Sequence, residues 1–416
     1  MKRTTSLPLL ALAFAALFAC DVTQELQGPG QNDGGTVNPP ANDGGNTPPV
    51  DGGTTTDSGV NGDAGVQRQI SVCVPKSEIG TTSIAVTGRE SGYIRDVNDI
   101  TSGGGRAFVL STPWTFIGVP LSGSGPVEAY SVTATLPTFA AMAIAPTDTS
   151  PGGALSSAAL ASYNIPGSNE QIVALRGSAS FASQIVGRVM VDQGDVFYFE
   201  TKAPSRLVHA GTKSSPNEIL LAEYPTLSNR IVTAAALVGN DVYFTTAING
   251  SSQVDAKLHR VPRNGGAITD LVDLSSIVGQ IEAIHVDGNS LYLTPGGEQA
   301  SVAALFGIYS IANNTVALGS LQGNGQNYAY TRSSGIVFDG SAFYYGSRGD
   351  NCSGVLVRVS KDMAVNHFPG QAQVLASNLD RIARLRSYGG NLYVGTAGDP
   401  FFKPAGYPGQ LLRWTP

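Results

Sequence analysis

The chain is 416 residues long, with 13% charged residues and a formal net charge of −6 at pH 7. Residues 21–66 hold seven acids and no Lys or Arg, so once these and Lys2 and Arg3 are set aside, residues 67–416 carry a net charge of −1. A near-neutral region of that size lacks the basic footprint of a nucleic-acid or anionic-membrane binder, and both partners are excluded for it.

In chain order, Lys2 and Arg3 precede a run from Leu7 to Ala19 that is apolar apart from Pro8. The run is too short to span a bilayer and suits a secretory signal peptide, assigned to residues 1–19. It ends in Leu17-Phe18-Ala19-Cys20, which resembles the lipobox of bacterial lipoproteins, although Phe18 departs from the small residue usual at its place. The resemblance implies that the Cys20 thiol takes a diacylglycerol and becomes the new N-terminus, anchoring an exported protein in the cell envelope. The alternative is an ordinary signal peptide with an incidental cysteine. Several acyl chains, at about 0.8 kcal/mol per buried CH₂, give a stable membrane anchor.

Residues 20–66 are expected to be a disordered tether. Asn32-Asp33-Gly34-Gly35, Asn42-Asp43-Gly44-Gly45 and Asp51-Gly52-Gly53 are spaced through Thr, Pro and Ser, with almost nothing to build a core. A coil of this length reaches roughly 35–40 Å on average. It lacks an Asp-x-Asp-x-Asp-Gly loop with a closing Glu, so no calcium is expected there.

From residue 67 onward one phrase recurs: an apolar strand, a Gly/Asn/Asp turn, and a second strand with an aromatic at a fixed place. It reads Val238-Gly239-Asn240-Asp241-Val242-Tyr243-Phe244, Asp287-Gly288-Asn289-Ser290-Leu291-Tyr292-Leu293, Asp339-Gly340-Ser341-Ala342-Phe343-Tyr344-Tyr345 and Gly389-Gly390-Asn391-Leu392-Tyr393-Val394. Phe197, Tyr243, Tyr292, Tyr344 and Tyr393 follow one another at nearly constant intervals, and the stretch from Phe108 to Phe197 has room for two periods. Before the turn, Ile284/Val286, Ile336/Phe338 and Val189/Val191 alternate as a strand burying one face does. The turns tolerate the positive φ that a two-residue hairpin demands. Four short strands per unit with Gly-rich turns predict an all-β, seven-bladed β-propeller over residues 67–416, with six or eight blades as alternatives. One degenerate unit, with strands at Ala141–Ala145 and Ala159–Ile165, fills residues 136–182.

These phrases resemble the bacterial propeller repeats of the NHL, YVTN and TolB-like type, in which an Ile-x-Val-Asp strand leads through a Gly turn into an aromatic strand. Ile284-His285-Val286-Asp287, Ile336-Val337-Phe338-Asp339 and Val189-Met190-Val191-Asp192 match that pattern. Propellers so built serve as binding scaffolds, lactonases, lyases and assembly factors, so the resemblance speaks for the fold and little for function.

The last unit stops at a third strand, Leu411-Leu412-Arg413-Trp414. The alternating segment Gln69-Ile70-Ser71-Val72-Cys73-Val74 is expected to supply the missing outer strand and close the ring. Cys73 and Cys352 are the two cysteines left after Cys20, and a disulfide between them is favoured over two free thiols in an exported protein.

Catalytic signatures are sparse: the chain has no Gly-x-Ser-x-Gly, His-Glu-x-x-His, Cys-x-x-Cys or phosphate loop. His209 and His259 fall in third strands, away from the axis. His285, Glu282, Arg384 and Arg386 fall in inner strands and are candidates to line the central channel. Arg384 and Arg386 share a face and either receive an anionic group or belong to a solvated wall held by ion pairs. The long loops between second and third strands form the other candidate surface. The last of them carries Asp399, Phe401, Phe402, Lys403 and Tyr407, an aromatic cluster stiffened by prolines that suits protein or glycan recognition or, equally, plugs the ring.

Two readings follow. The first is an envelope-anchored, monomeric, non-catalytic binding or assembly scaffold that needs no cofactor. The second is an exported propeller enzyme of lactonase or lyase type, with a divalent metal held on the axis among Asp99, Glu282 and His285.

Overall fold

The structure is a computed structural model that describes residue 73, Lys76–Ser77, Val86–Thr87 and residues 97–414, apart from 112–114, 123–127, 132–138, 150, 178–186, 202–203, 212–216, 225–228, 249–254, 275–279, 297–304, 322–334, 347–351, 367–371, 381 and 397–409. Cys20, the tether and the loop bearing Asp399, Phe401, Phe402, Lys403 and Tyr407 lie outside the described residues.

Seven small antiparallel sheets follow one another along the chain and form a seven-bladed β-propeller. The inner strands of blades 1 to 7 are Val97–Gly103, Phe139–Pro146, Gly187–Asp192, Arg230–Val238, Gln280–Asp287, Ile336–Phe338 and Ile382–Tyr388. Buried side chains gather in seven clusters, one between each pair of successive blades and one between the last blade and the first. That final cluster, where Val97, Ile100 and Val109 meet Ala383, Tyr393 and Leu411, closes the ring. Each sheet has two apolar faces and can cover neither alone, so stacking around an axis is the arrangement that removes all of this surface from water.

The recurring aromatic is what fills each gap. Phe108, Phe197, Tyr243, Tyr292, Tyr344 and Tyr393 are all buried, and each packs in the cluster shared with the following blade. The Asp that precedes the turn has a partner in the same aromatic: Tyr292 Oη donates to Asp287 Oδ2 at 3.2 Å, and Tyr344 Oη donates to Asp339 Oδ2 at 2.6 Å. Asp339 Oδ1 also accepts from the backbone N–H groups of Ser341 and Ala342, fixing the hairpin. Burial opposes ionisation of Asp339, but the hydrogen bonds from Tyr344, Ser341 and Ala342 prevail and hold its carboxyl below the usual range. Where the aromatic is Phe197, which has no hydroxyl, Asp192 pairs instead with Arg263 of blade 4 at 2.6 Å.

At the end of the second strand a side chain would collide with the next blade. A Cβ on Gly395 would sit 2.6 Å from Val97 Cγ1, and one on Gly346 would sit 2.7 Å from Ile382 Cδ1. Before the turn, Ile284, Ile336 and Val189 are buried as the alternation predicts, whereas Val286, one residue before the end of its strand, is exposed.

Blade 2 departs from the repeat. After its inner strand the chain forms a short helix, Ala154–Ala159, then Leu160–Asn164 and Glu170–Arg176, and the last of these pairs with the inner strand, giving three strands in the order first, third, second. Glu218 of blade 3 caps that helix, accepting from the backbone N–H of Leu155 at 3.0 Å and of Ser156 at 2.5 Å.

The N-terminal segment closes the ring, at a position shifted from the expected one. Val86–Thr87, rather than Gln69–Val74, is the outer strand of the last blade, pairing with Leu411 and Gln410. Lys76–Ser77 adds a fifth strand to blade 6 by pairing with Ser377 and Ala376. Within the expected segment only Cys73 is described; its carbonyl accepts from Gln410 Nε2 at 3.0 Å, and its sulfur bonds to Cys352 with a Cα–Cα distance of 5.3 Å.

Candidate functional site

Five inner strands carry a β-bulge near their start, with Asn98, Ala140, Thr233, Glu282 and Ala383 as the extra residues. A bulge re-aims the side chains that follow it. Beyond it, distance from the hairpin turn sets which residues are equivalent. Asp99, Arg188 and Arg384 stand four residues before the strand end at Gly103, Asp192 and Tyr388; His285 and Arg386 stand two residues before Asp287 and Tyr388. The matching positions of blades 4, 5 and 6 include Ala234, Ala236, Ala283 and Val337.

These polar residues converge. Arg386 Nη2 lies 2.5 Å from Asp99 Oδ1 across the seam between blades 7 and 1. Asp99 Oδ2 accepts from the Met142 backbone N–H of blade 2 at 3.0 Å, so one carboxylate ties three blades together. Tyr388 Oη donates to Ile100 O at 3.1 Å and Arg413 Nη1 donates to Leu121 O at 2.9 Å, adding two bonds to the same seam. Arg188 of blade 3 feels the charges of Arg386, Asp99 and Arg384, and His285 of blade 5 feels Arg188 and Arg386. Blades 3, 5 and 7 are not neighbours, so only the axis brings their side chains within electrostatic reach of one another.

Cations outnumber acids among these charges acting on Arg188 and His285. Burial first, then the nearby Arg386, pushes the Arg188 guanidinium down to about 10, with Asp99 acting the other way. Burial also pushes His285 down to about 3, assisted by Arg188 and Arg386 and opposed by a hydrogen bond to the Ile336 backbone. The imidazole is therefore neutral near pH 7, and its Nε2 lies 3.3 Å from Thr294 Oγ1. Arg188 and His285 are half-buried, so water reaches both.

A pH dependence follows from His285. In the unfolded chain it takes a proton near its ordinary pKa of about 6.5; in the folded protein it resists one until about pH 3. Its contribution to stability is thus complete above about pH 6.5 and is lost as the pH falls from there toward the folded value. The wild-type protein should lose unfolding free energy between pH 7 and 5 more steeply than His285→Gln. The difference in slope stays below the limiting ~1.4 kcal/mol per pH unit because channel water screens the charge. Parallel urea-unfolding curves for the two proteins across that range would contradict the assignment.

Of the residues singled out from sequence, Asp99, His285, Arg384 and Arg386 share this axial neighbourhood. Glu282 is buried at the bulge of its strand. Arg188 and Tyr388 belong to the site and were not singled out. The signal for Arg188 was its place four residues before the turn, the same as that of Arg384 and Asp99. Among the described residues no three His, Cys, Asp or Glu side chains are grouped as metal ligands would be. His209 and His259 lie in third strands and serve the blades: His259 Nδ1 is 2.8 Å from Asp270 Oδ1 and its Nε2 is 2.8 Å from the fully buried Thr246 Oγ1.

No family model matches the chain, and no curated protein matches it. Among solved structures it is similar to the Cps50 (Swd1) β-propeller domain of Myceliophteria thermophila, at 10% identity and a TM-score of 0.49, covering 80% of this chain and 99% of that one. It is similar to YCF48 bound to a D1 peptide, at 8% identity and a TM-score of 0.48, covering 82% and 99%. It is also similar to BamB of Moraxella catarrhalis, at 10% identity and a TM-score of 0.41, covering 77% of this chain and 83% of that one.

Proposed function

We propose that the protein is an exported lipoprotein, acylated at Cys20 and anchored in the cell envelope, whose propeller is a non-catalytic binding or assembly scaffold for a protein or glycan. The repeats are of the NHL/YVTN/TolB-like type, and the Asp287–Tyr292 and Asp339–Tyr344 bonds support this by giving the Asp of that pattern a structural task. The observation that carries the non-catalytic reading is the state of the axial carboxylate. Both oxygens of Asp99 are engaged, by Arg386 and by the Met142 N–H, and His285 feels the charges of Arg188 and Arg386. A general acid or base needs a free face and a pKa suited to its task; Asp99 lacks the free face, and His285, held down to about 3, lacks the pKa.

Lipidation is tested by growing cells on an alkyne-bearing palmitate. The wild-type protein is expected to take up the label and sediment with membranes, and Cys20→Ser to lose both. A label that persists in Cys20→Ser, or one absent from the wild type, overturns the anchor. Turnover of a lactone panel by the purified full chain, dependent on added divalent cation, overturns the scaffold reading.

A further inference from the structure

We propose that the propeller axis is a binding site for a small oxyanion, a carboxylate- or phosphate-bearing molecule gripped by Arg188 with Arg384 and Arg386 beside it. This goes beyond the scaffold reading and stands whether or not Cys20 is acylated. Arg188 and the pair Arg384 and Arg386 come from two non-adjacent blades and act on one another electrostatically, and Asp99, which also acts on Arg188, is already ion-paired with Arg386 and accepts from the Met142 N–H. Among the described residues the Arg188 guanidinium has neither a hydrogen bond nor an ion pair. A half-buried guanidinium without a counter-ion of its own, standing beside two like charges, is a favourable place for an anion to bind.

The surroundings define the ligand. The guanidinium plane presents paired N–H donors that match the two oxygens of a carboxylate or phosphate. His285, neutral near pH 7, adds no charge to the site, and its Nε2 is already directed at Thr294 Oγ1. The matching positions of blades 4, 5 and 6 hold Ala234, Ala236, Ala283 and Val337, buried small apolar residues that offer no second polar partner. A divalent cation is disfavoured beside Arg188, whose nearest charges include Arg384 and Arg386.

The test uses the purified full-length protein at constant ionic strength, with sodium phosphate and sodium citrate as separate probes and sodium chloride as the matched control. Calorimetry is expected to give saturable one-site binding of at least one probe, weakened tenfold or more by Arg188→Met (tenfold being about 1.4 kcal/mol) and less by Arg188→Lys. Binding of phosphate alone assigns the site to phosphate esters, of citrate alone to carboxylates, and of both to oxyanions in general. If Arg188→Met does not fold, phenylglyoxal labelling of the wild type decides. Modification of the peptide bearing Arg188 should be suppressed by the probe that binds. No binding beyond the chloride control, binding unchanged in Arg188→Met, or labelling of Arg188 indifferent to both probes overturns the site.

Discussion

Asp99→Ala is expected to lower the unfolding free energy by about 3–5 kcal/mol, the usual result of breaking a buried ion pair from one side. The Asp99 side chain is 3% exposed and that of Arg386 16%, so the truncated variant strands a cation in the axis and leaves the Met142 N–H without its acceptor. The loss arises at the junction of blades 7, 1 and 2, where the ring is sealed. Urea unfolding should show a lower midpoint with little change in slope, the mark of a stability effect within an intact fold. Adding Arg386→Met to Asp99→Ala should recover part of the loss, because the second change removes the stranded charge. A single variant within about 0.5 kcal/mol of wild type would show that the pair is solvated and contributes little.

The second large effect is expected at the Cys73–Cys352 bridge. It joins residues 279 apart, so opening it releases a very long loop in the unfolded chain, and the double Cys→Ser variant should lose about 2–5 kcal/mol. A local consequence follows as well. The bridge holds the segment that supplies Lys76–Ser77 to blade 6 and Val86–Thr87 to blade 7. With it cut, amide hydrogens of Gln373–Leu379 and Gln410–Trp414 should exchange faster, while those of Thr269–Asp273 on the outer strand of blade 4 should not. Uniform acceleration across all blades, or none, would contradict this.

The ring was legible because its defining contact is made by one large residue per unit. An aromatic that must fill the gap to the next blade keeps its distance from the hairpin turn, and six of the seven positions could be found by that spacing alone. Blade 2 was blurred for a physical reason: its inner strand pairs with the third segment instead of the second, so no hairpin turn marks it. The closing strand was misplaced because Gln69–Val74 alternates and Val86–Thr87, two residues long, is too short to show any period. On the axis, Arg384 and Arg386 were visible as a pair on one strand. Arg188 and Tyr388 were not, because their significance lies in which other strands face them, and that is fixed by the closure of the ring. Asp99 was noticed as an acid, but its role as a seam residue depends on blade 2 presenting the Met142 N–H, in the blade the sequence described least.

The late arrival of Gln410–Trp414 also orders biogenesis. The residues that complete blades 6 and 7 leave the ribosome first and wait for partners translated hundreds of residues later. Until then a nascent molecule is an open fan with a sticky border at each flank. A stall in synthesis or export should therefore produce tangles through blades 6 and 7 rather than a smaller, self-sufficient wheel.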